Sequence, residues 1–198
     1  MLARSGRLPT TRGYAFEAKW DGFRALVSQN GRRRVVSRRG WDMTPLLPEL
    51  QVPEGVVLDG ELVAFGEDGL PSFPRLCDRL LHHKRGIDVL FVAFDLLHHQ
   101  GAPTLRLPYR ARRERLEALG GGMGWRIAEA YEDGEALWRR VCERGLEGVV
   151  AKRLSGSYQP GRRGWVKVKN TEYWRYPLEV EASIRGARAR RPTVTRSP

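Results

Sequence analysis

The chain has 198 residues, 41% of them hydrophobic, with 35 Lys+Arg against 23 Asp+Glu and a formal net charge of +12. That composition excludes chain-wide disorder, and no apolar run approaches the ~20 residues that a membrane-spanning helix needs. The two cysteines, Cys77 and Cys142, stand far apart with no CxxC spacing, which excludes a disulfide scaffold and a zinc site and makes core filler their expected role.

Residues 1–13 read as a lead-in without an element. Residues 14–19, 23–29 and 32–37 are short runs rich in aromatic or β-branched side chains, and Asn30-Gly31 between the last two is a hairpin signal. A further strand is expected over 56–65. Phe73, Leu76, Cys77, Leu80 and Leu81 recur at helical spacing. Residues 87–97 are almost continuously apolar, as a buried central strand requires, with His98-His99 as the turn after it. Pro108 opens a helix reaching residue 119, and Asp133 caps another running to 144. Residues 125–131, 146–152, 165–169 and 178–184 are the remaining strand candidates. Residues 185–198 hold five arginines and no acid, which predicts a basic, disordered tail. Strands and helices mix without βαβ alternation, so the expected fold is α+β, with largely antiparallel sheets flanked by helices.

Lysine is scarce: Lys19, Lys84, Lys152, Lys167 and Lys169 are the only five, and the other 30 cations are arginines. Four of the five sit in strand-like segments, EAKWDG, GVVAKR and WVKVKN. An amine can lose its proton and attack, whereas a guanidinium effectively cannot. Strand alternation places Glu17 with Lys19, Asp59 with Glu61, and Trp165 with Lys167 and Lys169, each set on one face. It also groups Phe94 with Val92 and Leu96. If these faces converge, they form a nucleotide site, with cations for phosphate, an aromatic for the base and carboxylates for Mg²⁺ or ribose. Glu147 and Lys152 fall on opposite faces of an ideal strand. The general basic excess points to a polyanionic partner.

Lys19-Trp20-Asp21-Gly22 followed by Arg24 resembles the KxDGxR signature of covalent nucleotidyltransferases. Ser37–Gly40 (SRRG), VLDGELVAF at 57–65, FDLL at 94–97, EGVVAK at 147–152 and WVKVK at 165–169 follow in the family's order. The wording is most similar to bacterial ATP-dependent DNA ligases, including the ligase domains of end-joining proteins. The resemblance implies an adenylation domain over 14–184 that uses ATP and Mg²⁺. Lys19 would be the nucleophile that becomes lysyl-AMP. Glu17 would meet the adenine amino group, and Phe94 would stack on adenine. Arg24 and Arg39 match positions near ribose or phosphate. Glu61 matches a ribose or metal contact, and Glu147 a metal-binding carboxylate. Lys167 and Lys169 match cations on the α-phosphate, and Lys152 belongs to the fourth motif as a nucleotide-binding residue with no specific contact assigned. Burial and neighbouring cations would favour the free amine that attack requires.

The implied partner is nicked double-stranded DNA, with end-joining or repair proteins around it. The implied setting is a monomer in the bacterial cytoplasm, associated with the nucleoid; no membrane partner is expected. The family's OB-fold, with its sixth motif, finds no counterpart in the residues given, so full nick sealing is in question. An RNA ligase or capping-type transferase, or an idle nucleic-acid-binding remnant, stays open as an alternative.

Overall fold

The computed structural model describes residues 1–175 and 178. The strand expected over 178–184 (but for Leu178) and the tail at 185–198 lie outside the described residues. In chain order the strands are β1 (Leu2–Ser5), β2 (Tyr14–Ala18), β3 (Phe23–Asn30), β4 (Arg32–Ser37), β5 (Val56–Val63), β6 (Leu90–His99), β7 (Ala102–Pro103), β8 (Trp125–Ile127), β9 (Ala130–Tyr131), β10 (Gly148–Arg153) and β11 (Arg163–Lys169). The helices are α1 (Phe73–Leu80), α2 (Tyr109–Ala118) and α3 (Gly134–Glu143).

The strands form two sheets, ordered β1-β11-β10-β2-β9 and β4-β3-β5-β6-β7, with β8 also paired to β6. Among the described residues only β1–β11 and β6–β8 pair in parallel. The fold is therefore the expected α+β arrangement of largely antiparallel sheets. The far face of the second sheet carries the main core, in which Val27, Leu58, Leu62, Phe91 and Leu96 pack under Leu76 and Leu80 of α1 and Leu116 of α2. The first sheet buries Phe16, Val149 and Val166 against Leu137 and Val141 of α3. A third cluster, Leu97, Tyr158 and Trp165 with Phe94, Val150 and Ala3, joins the two sheets.

The chain passes between sheets at two places. After β2 it leaves the first sheet at Lys19 and enters the second at Phe23. The strand expected over 125–131 is instead broken: β8 pairs with β6 in the second sheet and β9 with β2 in the first. A continuous strand cannot serve both sheets, so Ala128 and Glu129 make the crossing.

Other boundaries moved for local reasons. The lead-in supplies β1, which pairs with β11. His98 and His99 end β6, and the turn falls two residues later at Gln100-Gly101. Cys142 is exposed and Cys77 half-buried, because the buried α3 positions are Leu137 and Val141 and those of α1 are Leu76 and Leu80. The Asp133 cap is present, its carboxylate accepting from Ala136 N at 2.9 Å.

Candidate active site

The seam between the sheets opens into a cleft of about 390 Å³, lined by Glu17, Lys19, Arg24, Glu61, Phe94 and Lys152 among others. Each arrives there for a local reason. Strand alternation turns Phe16 into the core below the first sheet and Glu17 towards the cleft. Lys19 lies at the mouth of the crossing between sheets, tied by its backbone N–H to the Gly148 carbonyl at 2.8 Å. In β11, Val166 turns into the core, which leaves Trp165 and Lys167 on the cleft wall.

Phe94 reaches the cleft through a bulge. Asp59 of β5 opposes Asp95 of β6 while Gly60 opposes Ala93, so β6 carries one extra residue, Phe94. The bulge resets the alternation. Phe91, Ala93 and Leu96 enter the main core, whereas Val92 and Phe94 pack on the opposite side with Trp20 and Phe65. The expected grouping of Phe94 with Leu96 is thereby corrected. Behind the bulge, Asp95 is fully buried and holds Arg112 of α2 through two bonds, Nε to Oδ1 at 2.7 Å and Nη2 to Oδ2 at 2.9 Å.

The cleft has two chemically distinct ends. At one, Phe94 and Trp165 meet edge to face, their centroids 5.6 Å apart. Lys152, only 1% exposed, sits 4.6 Å above both rings and contacts Glu17 Oε1 at 2.8 Å and the Phe94 carbonyl at 2.7 Å. Burial lowers the Lys152 pKa, with the Glu17 charge opposing the shift. At the other end Lys19 Nζ pairs with Glu147 at 2.6 Å, and Lys169 Nζ lies 3.5 Å from the same carboxylate. Burial lowers the pKa values of Lys167 and Lys169, and the Lys19 charge adds to both shifts. Glu61 is pushed up to about 8 by burial, against the pull of Lys19 and Arg24. Arg24 is held by Asp59, Nε to Oδ1 at 3.0 Å and Nη2 to Oδ2 at 2.6 Å, while Tyr158 donates to the same carboxylate at 2.7 Å.

Of the residues singled out from the sequence, Glu17, Lys19, Arg24, Glu61, Phe94, Lys152 and Lys167 line one cleft. Glu147 and Lys169 stand beside Lys19. Arg39 is not brought in. The Gly40 N–H bonds to the Ser37 carbonyl at 2.9 Å, closing a turn that leaves Arg39 exposed, and Arg38 lines the cleft in its place. Sequence reasoning gave no individual role to Arg38, Arg163, Asp59, Tyr109 or Tyr158. Arg38 lies within the Ser37–Gly40 match, Asp59 shares a face with Glu61, and Tyr158 and Arg163 belong to a segment before the last motif that also resembles the ligases, whereas Tyr109 carried no local signal.

Among the described residues no group of three His, Cys, Asp or Glu side chains can hold a metal ion by itself. Mg²⁺ commonly takes only one or two carboxylates, the rest of its shell being water and substrate phosphate. Glu61 and Glu147, both close enough to feel the Lys19 charge, fit that mode.

The family model "ATP dependent DNA ligase domain" matches residues 8–169. The multifunctional non-homologous end joining protein LigD of Mycolicibacterium smegmatis is 38% identical over 181 residues, which cover 85% of this chain and 23% of that protein. The chain thus spans about a quarter of that relative's length. The crystal structure of the ligase domain of M. tuberculosis LigD superposes with a TM-score of 0.75 at 38% identity, covering 85% of this chain and 58% of the other. A mycobacterial DNA ligase D complexed with ATP and MES gives a TM-score of 0.73 at 36% identity, covering 85% and 59%. With that family model matched over most of its length and relatives 38% identical over 85% of it, the chain belongs to the ATP-dependent DNA ligase family, of which it carries the adenylation domain.

Proposed function

We propose that this domain transfers AMP from ATP to Lys19 and then to the 5′-phosphate at a nick in double-stranded DNA. The observation that carries the proposal is the position of Lys19 Nζ, between a carboxylate and a group of lysines at the cationic end of a cleft whose other end is aromatic.

The base enters the aromatic end beside Phe94 and Trp165, and the phosphates lie towards Lys167, Arg38 and Arg163. Lys19 must first give up a proton, to the Glu147 carboxylate or to solvent, and leave Glu147, since an ammonium held by a carboxylate has no lone pair to offer. The Nζ lone pair attacks the α-phosphorus. An N–P bond forms, the bond from the α-phosphorus to its bridging oxygen breaks, and pyrophosphate leaves with that electron pair. Nζ gives up a proton, leaving lysyl-AMP. A 5′-phosphate oxygen then displaces Lys19 from the adenylate, and the 3′-hydroxyl displaces AMP from the activated end. Lys167 and Lys169 offset charge that develops on the phosphorus oxygens. Bound Mg²⁺, held by Glu61 and Glu147, would supply further neutralisation of phosphate charge. End-joining partners belong to the same proposal, supported by the relatives' names alone; a cytoplasmic, nucleoid-associated setting is proposed only as where such a DNA substrate lies.

The test is incubation with ATP labelled at the α-phosphate, followed by denaturing electrophoresis. Label is expected to stay on the protein, and label at the γ-phosphate is not. Lys19→Arg is expected to abolish labelling, because it keeps the charge and removes the nucleophile. Normal labelling of that variant overturns the assignment. Nicked DNA, nicked RNA and GTP in parallel decide between a DNA ligase and the RNA-ligase or capping reading.

A further inference from the structure

Tyr109 lies on no motif, yet it is nearly inaccessible at 1% exposure and donates its hydroxyl to Glu17 Oε1. Lys152 Nζ reaches the same oxygen at 2.8 Å from the other side. Both contacts fall on Oε1, and Glu17 lines the cleft at its aromatic end. With two donors fixed on one oxygen, the other oxygen of this cleft-lining carboxylate has acceptor capacity only.

We propose that Tyr109 is a positioning residue for base selection: with Lys152 it locks Glu17 as an obligate acceptor, so that the cleft takes a purine carrying an amino group at C6. This inference rests on the reading of the cleft as an ATP site.

The support for Tyr109 is rigid. Its backbone N–H bonds to the Gly156 carbonyl at 2.8 Å, at the start of α2. One turn on, Arg112 packs 5.7 Å from the Tyr109 ring, holds Asp95, and donates to the carbonyls of Leu107 at 2.6 Å and Gly156 at 3.0 Å. Burial, reinforced by the Glu17 charge, raises the phenol pKa, so the hydroxyl stays protonated and remains a donor. Without Tyr109 the carboxylate keeps one donor and can rotate about it. A 6-oxo purine would set its carbonyl oxygen against a carboxylate oxygen, with no proton between them. A site built to satisfy a substrate N–H discriminates strongly against analogues that lack it.

The test compares covalent labelling of the intact chain by ATP, by purine riboside triphosphate, which has hydrogen at C6, and by inosine triphosphate, which has oxygen there. The unmodified protein is expected to prefer ATP over both. In Tyr109→Phe, labelling at subsaturating ATP should fall about tenfold, as for loss of a hydrogen bond to a charged group, with the maximal rate little changed and purine riboside triphosphate unaffected. A Tyr109→Phe protein that keeps the full preference for ATP overturns the proposal.

Glu17→Gln decides the matter even if that variant folds poorly. The Lys152 ammonium has no acceptor, so with the Tyr109 hydroxyl beside it the amide oxygen would take their side and its NH₂ would turn into the cleft. The preference should therefore invert towards inosine triphosphate, and no inversion overturns the locked orientation. Labelling of the unmodified protein by none of the three overturns the ATP reading itself. Equal labelling by ATP and purine riboside triphosphate leaves that reading intact and overturns only the roles given to Glu17 and Tyr109.

Discussion

Phe94 is half-buried on the cleft wall, with Trp165 edge-on beside it, and the bulge in β6 turns it away from the main core. Phe94→Ala should therefore weaken ATP binding by about 1–3 kcal/mol, the range for a base stacked on an aromatic ring. The accompanying stability loss should stay below the ~3–5 kcal/mol typical of a fully buried Phe. Nucleotide titration beside thermal denaturation separates the two effects, and unchanged affinity with a large fall in melting temperature would make Phe94 a packing residue. Glu61 offers a pH signature. Its folded pKa of about 8 lies above the ordinary carboxylate value because burial disfavours the charge. The folded state thus binds the proton more tightly than the unfolded chain. This contribution to stability is fully present below the unfolded pKa and is lost as pH rises through about 8. Glu61→Gln removes the ionisation, so the melting temperature of the variant relative to the unmodified protein should rise from pH 5 to pH 9. A difference that stays flat over that range would count against a buried, proton-holding Glu61.

At the scale of elements, the short connection from β2 to β3 positions Lys19, the proposed nucleophile, and Gly22 makes it possible. A Cβ at residue 22 would stand 2.0 Å from the Leu62 carbonyl oxygen of β5. The connection runs that close because Phe23 pairs with Leu62 immediately afterwards. Gly22→Ala must displace backbone rather than a flexible side-chain end, so we expect a stability loss of about 1–3 kcal/mol, as for overpacking, together with slower lysyl-AMP formation. Denaturant unfolding beside the labelling assay checks both. The glycine of EGVVAK is constrained in the same way, since a Cβ on Gly148 would meet the Val168 carbonyl at 2.1 Å. Two motif glycines are thus close backbone contacts. The Asn30-Gly31 hairpin, the 3.6-residue spacing of α1 and the Asp133 cap of α3 were legible because each depends on neighbours in sequence. The split of β8 from β9 was not, because the change of sheet is set by strands far away in the chain.

At the scale of the molecule, the net charge of +12 matters more than any single ion pair. Duplex DNA binding should weaken steeply with salt as counterions are released. Removing residues 185–198 takes away five arginines and should lower the slope of log affinity against log salt. An unchanged slope would place the DNA contacts wholly elsewhere. The two sheets are joined over the cleft by the Leu97, Tyr158 and Trp165 cluster. They are also tied by Asp21, which accepts from Tyr173 at 2.7 Å and pairs with Arg175 after the last strand. Residues 152 positions apart thereby brace the connection that carries Lys19.

The sequence by itself determined the fold class, most strand positions and the charged residues and Phe94 that meet in the cleft, because strand alternation and motif wording are read from neighbouring residues. Tertiary structure decided the rest. Glu147 and Lys152 point to opposite sides of an ideal strand, yet both contact cleft residues. Glu147 precedes β10 and pairs with Lys19, while Lys152 reaches Glu17 from within the strand. Arg38 replaced Arg39 because a turn, not a strand, ends that segment. Tyr109 entered the site because α2 docks through the buried Arg112–Asp95 pair. Each of these outcomes depends on where a distant element packs, and one-dimensional periodicity carries no record of that.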